Sequence, residues 1–487
     1  MSNPAVQIDG LSFSYPEYYA GQRNPVLKEI TLSIPEGGLG VVLGKADAGK
    51  TTLTRVLGGF APRFTGGTFS GRARFRDTEL AGAKPYQLLE TAGFVFQDAD
   101  EQIITTRCDT EIAFALESLG VGRTDMGRLV EGALDFAGLS GFAGRHPATL
   151  SGGEKKRLLI ACLKAIDPPL WVLDEILQEL DPAWKGKLLD FLHDSGKTAL
   201  LLDSRWSPLY AHHDAGLFLL REGQCTAEGA WVPPSRDAIL AGEGLLAPVR
   251  AEPPRNGEPH PLLRCSRIEF GFPAPSSFSL HIEDLTIQED SVCALVGRNG
   301  SGKSTLGRIL CGLLVPQSGS VEWAGPQGLR ADPEGLQRAV GYLFQNPDYQ
   351  IFLPTVGEEL SFGLRRQGVA QAEVERRVQE AIRVFRLPSE GTPPSLMGYG
   401  ARKRLQAACY FLLERRLLIL DEADAGLCYT DFASILEALR SRGASILLVT
   451  HDMLLAATAA ERILVLDGGR ILSDTRGLPA GFPEAGG

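Results

Sequence analysis

The sequence predicts an α/β fold built twice in tandem, each copy a largely parallel sheet core with a helical lobe beside it. Three observations predict it. The stretch Gly297-Arg-Asn299-Gly300-Ser301-Gly302-Lys303-Ser304-Thr305 lies between an apolar run, Cys293 to Val296, and a helical pattern from Leu306 to Leu314. A second such stretch, Gly44-Lys-Ala-Asp47-Ala-Gly49-Lys50-Thr51-Thr52, lies between the apolar run 39–43 and a helical start at 53–57. Apolar strands alternate with helical stretches through both halves, the pattern of a parallel sheet with crossover helices.

A strand, a GxxxxGK[ST] loop and a helix in that order form a phosphate cradle. The glycines let backbone N–H groups converge on phosphate oxygens, and the helix N-terminus adds its dipole. In this arrangement Lys303 reaches the β- and γ-phosphates and the Ser304 hydroxyl coordinates Mg²⁺. The expected ligand is a nucleoside triphosphate.

Lys50 and Lys303 stand 253 positions apart (303 − 50). Phe94-Val-Phe-Gln97 recurs as Tyr342-Leu-Phe-Gln345 at an offset of 248 (345 − 97), and the run ending Asp174-Glu175 recurs ending Asp421-Glu422 at 247 (422 − 175). Three features in one order at nearly one offset mean homologous tandem domains. They are expected over 1–238 and 263–487, joined by a Pro- and Gly-rich linker over 239–262. The stretches near 100–150 and 350–400 read as mainly helical.

The 487 residues are 44% hydrophobic and 22% charged, a composition with ample core, and the net charge of −10 argues against a duplex nucleic-acid binder. Eight cysteines are scattered without a CxxC pair, which suits reduced thiols. The N-terminal residues lack the pattern of a signal peptide, and no apolar run is long enough to span a membrane. The pair His212-His213 reads as a solvated loop, and the Arg365-Arg366 and Arg376-Arg377 pairs as an exposed helix face.

With two phosphate loops, two glutamine loops and Leu150-Ser151-Gly152-Gly153-Glu154 ahead of the strand ending in Asp174-Glu175, the chain resembles the ATPases of ABC transporters. The residues around Gln97, and those from Asp109 to Val121, look most like the energy-coupling factor ATPases. Those drive uptake of vitamins, thiamine precursors, cobalt or nickel. The resemblance implies ATP and Mg²⁺ as ligands and a cytoplasmic chain peripheral on the inner face of the cell membrane. Integral membrane coupling and substrate-binding subunits are the implied partners, with no nucleic acid. It also implies that the two halves pair head to tail, each nucleotide lying between one half's phosphate loop and the other half's Leu-Ser-Gly-Gly segment.

At the site on Lys303, the resemblance gives Asp421, Ser304 and Gln345 to Mg²⁺. Glu422 positions or deprotonates the attacking water, His451 holds the γ-phosphate and Phe272 stacks on adenine. Ser151, Gly152, Gly153 and Glu154 close over it, with Asp181 nearby. The site on Lys50 keeps Thr51, Gln97 and Asp174 for the metal, Glu175, and Tyr15 for adenine. It departs from the pattern at four places. Asp47 replaces the glycine matching Gly300; Ser204 stands where His451 stands; Tyr399 takes a glycine position in the opposing segment; Cys428 replaces Asp181. The expectation is one competent composite site and one degenerate site, against the alternative that both sites work. Rival functions are an ATPase of a monosaccharide importer and a tandem ABC ATPase acting on ribosome or DNA.

Overall fold

The computed structural model describes residues 4–16, 25–80, 83–228, 233–246, 260–272, 278–325 and 328–476; most of the expected linker lies outside them. The chain divides into two compact units, Met1–Leu246 and Ala247–Gly487. A helix, Pro233–Gly242, continues the first unit past the expected domain edge, and the strand Pro261–Gly271 opens the second.

In the first unit the core sheet runs Gln224–Glu228, Gly216–Arg221, Leu39–Leu43, Thr198–Asp203, Leu170–Asp174, Ala92–Val95. All neighbours are parallel except the Gln224–Glu228 edge. The second unit repeats this order: Arg470–Thr475, Arg462–Asp467, Val292–Val296, Ser445–Val449, Leu417–Asp421, Val340–Leu343. Here too only the terminal hairpin is antiparallel. Every residue of Val292–Val296 and Leu417–Asp421 is buried, because a parallel sheet covered on both faces has no solvent side. The loops at the carboxyl ends of these strands carry the candidate site, as in open α/β sheets generally.

Each unit also contains a four-stranded antiparallel sheet that the sequence reading did not separate from the core. It is Leu27–Pro35, Pro4–Ser14, Thr68–Phe75, Thr78–Glu79 in the first unit. Its counterpart is Ser279–Gln288, Pro261–Gly271, Ser318–Gly325, Gly328–Arg330. Burial alternates along Leu27–Pro35, with Leu27, Ile30, Leu32 and Ile34 facing the core and polar neighbours facing out.

The helical lobes are Cys108–Ser118, Arg123–Phe136 and Gly152–Ile166 in one unit and Val356–Arg366, Gln371–Val384 and Tyr399–Leu413 in the other. Inside each lobe a buried carboxylate braces the entry loop. Glu111 accepts from the N–H groups of Ile104 and Thr105, and Glu359 from those of Phe352 and Leu353. No helix among the described residues is long and apolar enough to cross a membrane. All eight cysteines are free thiols. His213 is buried with Nε2 3.3 Å from Asp190, so only part of the His212-His213 pair is solvated.

Candidate active site

In the second unit, helix Lys303–Leu310 starts directly behind Gly302, whose φ of +104° is open to glycine and strained for other residues. A Cβ on Gly302 would also stand 2.7 Å from the Phe278 ring. Lys303 is buried, and its ammonium donates to the carbonyls of Gly297 at 2.8 Å and Arg298 at 3.0 Å, bridging the two ends of the loop. Asn299, Gly300 and Ser301 form the arch between, and Thr305 follows Ser304 in the first helical turn. Ser304 donates to Asp421 at 2.9 Å, and the Tyr342 hydroxyl donates to the other oxygen of Asp421 at 2.5 Å. Phe272 is 43% exposed and packs edge-on against Phe270, with the Phe278 ring 5.9 Å away.

Gln345, in the loop two residues past strand Val340–Leu343, donates to Glu422 Oε2 at 2.8 Å, and His451 Nδ1 lies 3.5 Å from Glu422 Oε1. Glu422 has a left-handed φ of +45°, a conformation that costs a non-glycine residue on the order of 1–3 kcal/mol. Burial pushes the Glu422 carboxyl up, but His451, Lys303 and Lys403 outweigh it and hold the group below its ordinary value. The carboxylate is thus ionised and flanked by donors, the state required of a group that accepts a proton from water.

The first unit builds the same frame and fills it differently. Lys50 donates to the carbonyls of Gly44 at 2.6 Å and Lys45 at 2.8 Å, behind Gly49. It also pairs with Glu175 at 3.1 Å, both side chains being 4% exposed. Ser204 donates to Glu175 Oε2 at 2.9 Å, and Gln178 donates to the same oxygen at 2.9 Å and to Ser204 at 2.8 Å. Gln178 also bonds Asp203, whose second oxygen accepts from Tyr210 at 2.6 Å. Burial raises the Glu175 carboxyl above its ordinary value against the pull of Lys50, the reverse of Glu422. Thr51 donates to Gln97 at 3.3 Å, and the Tyr15 hydroxyl lies 3.4 Å from Thr52. Asp47 holds φ +63° where Gly300 holds +80°, so the arch keeps its left-handed turn while gaining a carboxylate.

Ser151 caps helix Gly152–Ile166 reciprocally with Glu154. Its N–H donates to the Glu154 carboxylate at 2.8 Å, and its Oγ accepts from the Glu154 N–H. In the second unit Gly398 is the N-cap and Tyr399 the first helical residue, so neither half of that box exists there. Asp181 caps helix Pro182–Asp194 through the Trp184 N–H at 3.0 Å; Cys428 precedes Tyr429–Ser441 with no side-chain cap bond.

The donor sets suit a hard cation. Both oxygens of Asp174 are buried and, among the described residues, have no donor at hydrogen-bonding geometry, and burial beside Glu175 raises the group to about 7. An acid so placed needs a positive partner, and Thr51 and Gln97 supply the neutral oxygens beside it; Ser304, Asp421 and Gln345 form the same set in the other unit. Sequence reasoning missed Tyr342, Gln178 and the buried lysines 156 and 403. Comparison of the two halves position by position carried a signal for two of them, since Tyr342 corresponds in sequence to Phe94 and Gln178 to Ala425.

The ABC transporter family model matches residues 27–178 and 280–425, well over half of the chain. A Methanosarcina acetivorans protein, provisionally named an ABC transporter ATP-binding protein, is 30% identical across 97% of this chain and 86% of its own length. A similarly named Streptomyces coelicolor protein is 30% identical over 94% and 92%. A solved Clostridium perfringens structure, cbiO1, described as part of the ABC transporter complex cbiONQ, covers 44% of this chain and 88% of its own at 26% identity and a TM-score of 0.41. The chain belongs to the ABC transporter family: it is an ATPase with two ABC domains in tandem, binding ATP with Mg²⁺.

Proposed function

We propose that the chain is the ATP-hydrolysing subunit of a membrane importer of the energy-coupling factor type, taking up a vitamin, a thiamine precursor or cobalt or nickel. In this reading its two domains pair within the chain and enclose one competent and one degenerate composite site. The observation that carries the asymmetry is the contrast of the two glutamates. Glu422 is held ionised by His451, Lys303 and Lys403, whereas Glu175 is tied to Lys50, Ser204 and Gln178.

At the competent site Lys303 and the loop N–H groups hold the phosphates, Phe272 takes the adenine and Ser151, Gly152, Gly153 and Glu154 close over the γ-phosphate. Ser304, Asp421 and Gln345 would hold Mg²⁺, which when bound neutralises charge on the phosphate oxygens. Glu422 takes the proton of the attacking water while Gln345 and His451 keep its carboxylate aimed. Tyr15, Lys50 and Thr51 would retain a nucleotide at the other site.

A membrane partner finds support in the second lobe, where Phe352, Phe362, Gly363, Cys409 and Leu413 line a groove of about 180 Å³. Phe352 is 67% exposed there. The test is affinity capture of the tagged chain from native membranes in mild detergent. Recovery of a multi-helix coupling protein with a small multi-pass substrate-binding protein is the expected result. A homodimeric permease, ribosomal proteins, or no membrane protein at all would overturn the importer reading.

A further inference from the structure

Two buried lysines occupy matching positions in the units, Lys156 and Lys403, 247 apart (403 − 156) and at most 2% exposed. They do different things. Lys156 donates to the carbonyl of Gln97 and, at 3.2 Å, to that of Phe96, and it lies 3.7 Å from Glu179. It thus pins the backbone of its own glutamine loop. In the second unit the two matching carbonyls have other donors. Gln406 donates to Phe344 at 3.1 Å, and the Tyr399 hydroxyl donates to Gln345 at 3.0 Å. Lys403, passing 5.5 Å from the Tyr399 ring, donates to the backbone carbonyl of Glu422 at 3.1 Å. The first unit has Leu159 where Gln406 stands and Gly152 where Tyr399 stands, so neither substitute donor exists there.

We propose that Tyr399 is a positioning residue for hydrolysis at the Lys303 site of its own domain. By holding the Gln345 carbonyl it fixes the loop whose side chain contacts Glu422 at 2.8 Å, and it leaves Lys403 on the Glu422 backbone. The inference rests on the reading of Glu422 as the catalytic base. It gives a purpose to a residue that otherwise counts only as damage to the opposite site, and the two accounts predict opposite signs. If Tyr399 merely obstructs, Tyr399→Gly, which restores the glycine of the other half, raises turnover or leaves it alone. If Tyr399 positions Gln345, both Tyr399→Gly and Tyr399→Phe lower it.

The experiment is steady-state ATP hydrolysis by the full chain in its membrane complex, with kcat and KM separated. Amide hydrogen exchange across residues 344–350 of the nucleotide-free protein is measured beside it. One neutral hydrogen bond is worth a factor of about three to ten, so Tyr399→Phe should lower kcat by about that factor with KM for ATP and melting temperature unchanged. Exchange across 344–350 should rise. Unchanged kcat and exchange in Tyr399→Phe, or a gain of turnover in Tyr399→Gly, would overturn the proposal. Glu422→Gln is the control: if it retains turnover, the assignment of the base has failed, and the positioning role falls with it. If it abolishes turnover while Tyr399→Gly gains, only the positioning role has failed.

Discussion

Lys50 and Glu175 form a buried ion pair of 3.1 Å in the first domain. Lysine, serine and glutamine donors all converge on the Glu175 carboxylate, so removing one charge leaves the other stranded. Breaking a buried pair from one side costs roughly 3–5 kcal/mol. Lys50→Met is therefore expected to lower the urea midpoint of the nucleotide-free chain, and Lys50→Met/Glu175→Gln to recover most of the loss. Equal losses in the single and double variants would show that the pair is not what the single variant broke.

Hydrolysis should divide unequally between the two glutamates. Loss of a positioned base costs roughly 10²–10⁴ in rate, so Glu422→Gln should bring turnover to background while Glu175→Gln leaves most of it. Steady-state phosphate release decides this, and equal losses would refute the asymmetry.

Asp47 sets a carboxylate in a loop whose backbone already matches that of Gly300. Asp47→Gly therefore changes charge and leaves shape alone. Removing one negative charge near anionic phosphates should tighten ATP binding about ten-fold, or about 1.4 kcal/mol. Titration calorimetry on Lys303→Met chains, in which the second loop is disabled, isolates the effect. An unchanged Kd would mean that the carboxylate does not face the nucleotide.

Burial pushes Cys108 and Cys311 to about 11 and Cys225, Cys265 and Cys293 to about 12, against an ordinary 9.0. The folded chain keeps thiol protons that the unfolded chain releases near pH 9. These thiols' contribution to stability is therefore intact below about pH 9 and is lost as pH climbs toward 11–12. Iodoacetamide at pH 8 should label the native chain slowly and all eight cysteines in urea. Fast labelling of the native chain would contradict the burial.

Much of this was legible in the sequence. The phosphate loops are a local pattern with fixed geometry, so Lys303 and Ser304 could be read from their spacing, while Asp421 and Gln345 were marked as site residues only by the resemblance to ABC ATPases. The second sheet left only a partial trace, the alternation at Leu32-Ser-Ile34: its main strands, Pro4–Ser14 and Leu27–Pro35, are longer than the buried Leu39–Leu43, but half-buried strands lack the continuous apolar run that marks the core. What could not be read is where long polar side chains end. Lys156 and Lys403 are the same residue in the same motif, and which carbonyl each reaches depends on residues 152, 159, 399 and 406 taken together. The convergence of Gln178 and Ser204 on Glu175 is tertiary in the same way.

The exchange of donors around Lys403 also makes the second copy hard to walk back. A lone reversion at 399 strips the Gln345 carbonyl of its hydroxyl while Lys403 is engaged at Glu422, and a lone reversion at 406 does the same to Phe344. Only a coordinated change returns the lysine to the post that Lys156 holds. Single-substitution paths between the two arrangements therefore pass through an intermediate in which one glutamine-loop carbonyl has lost its side-chain donor.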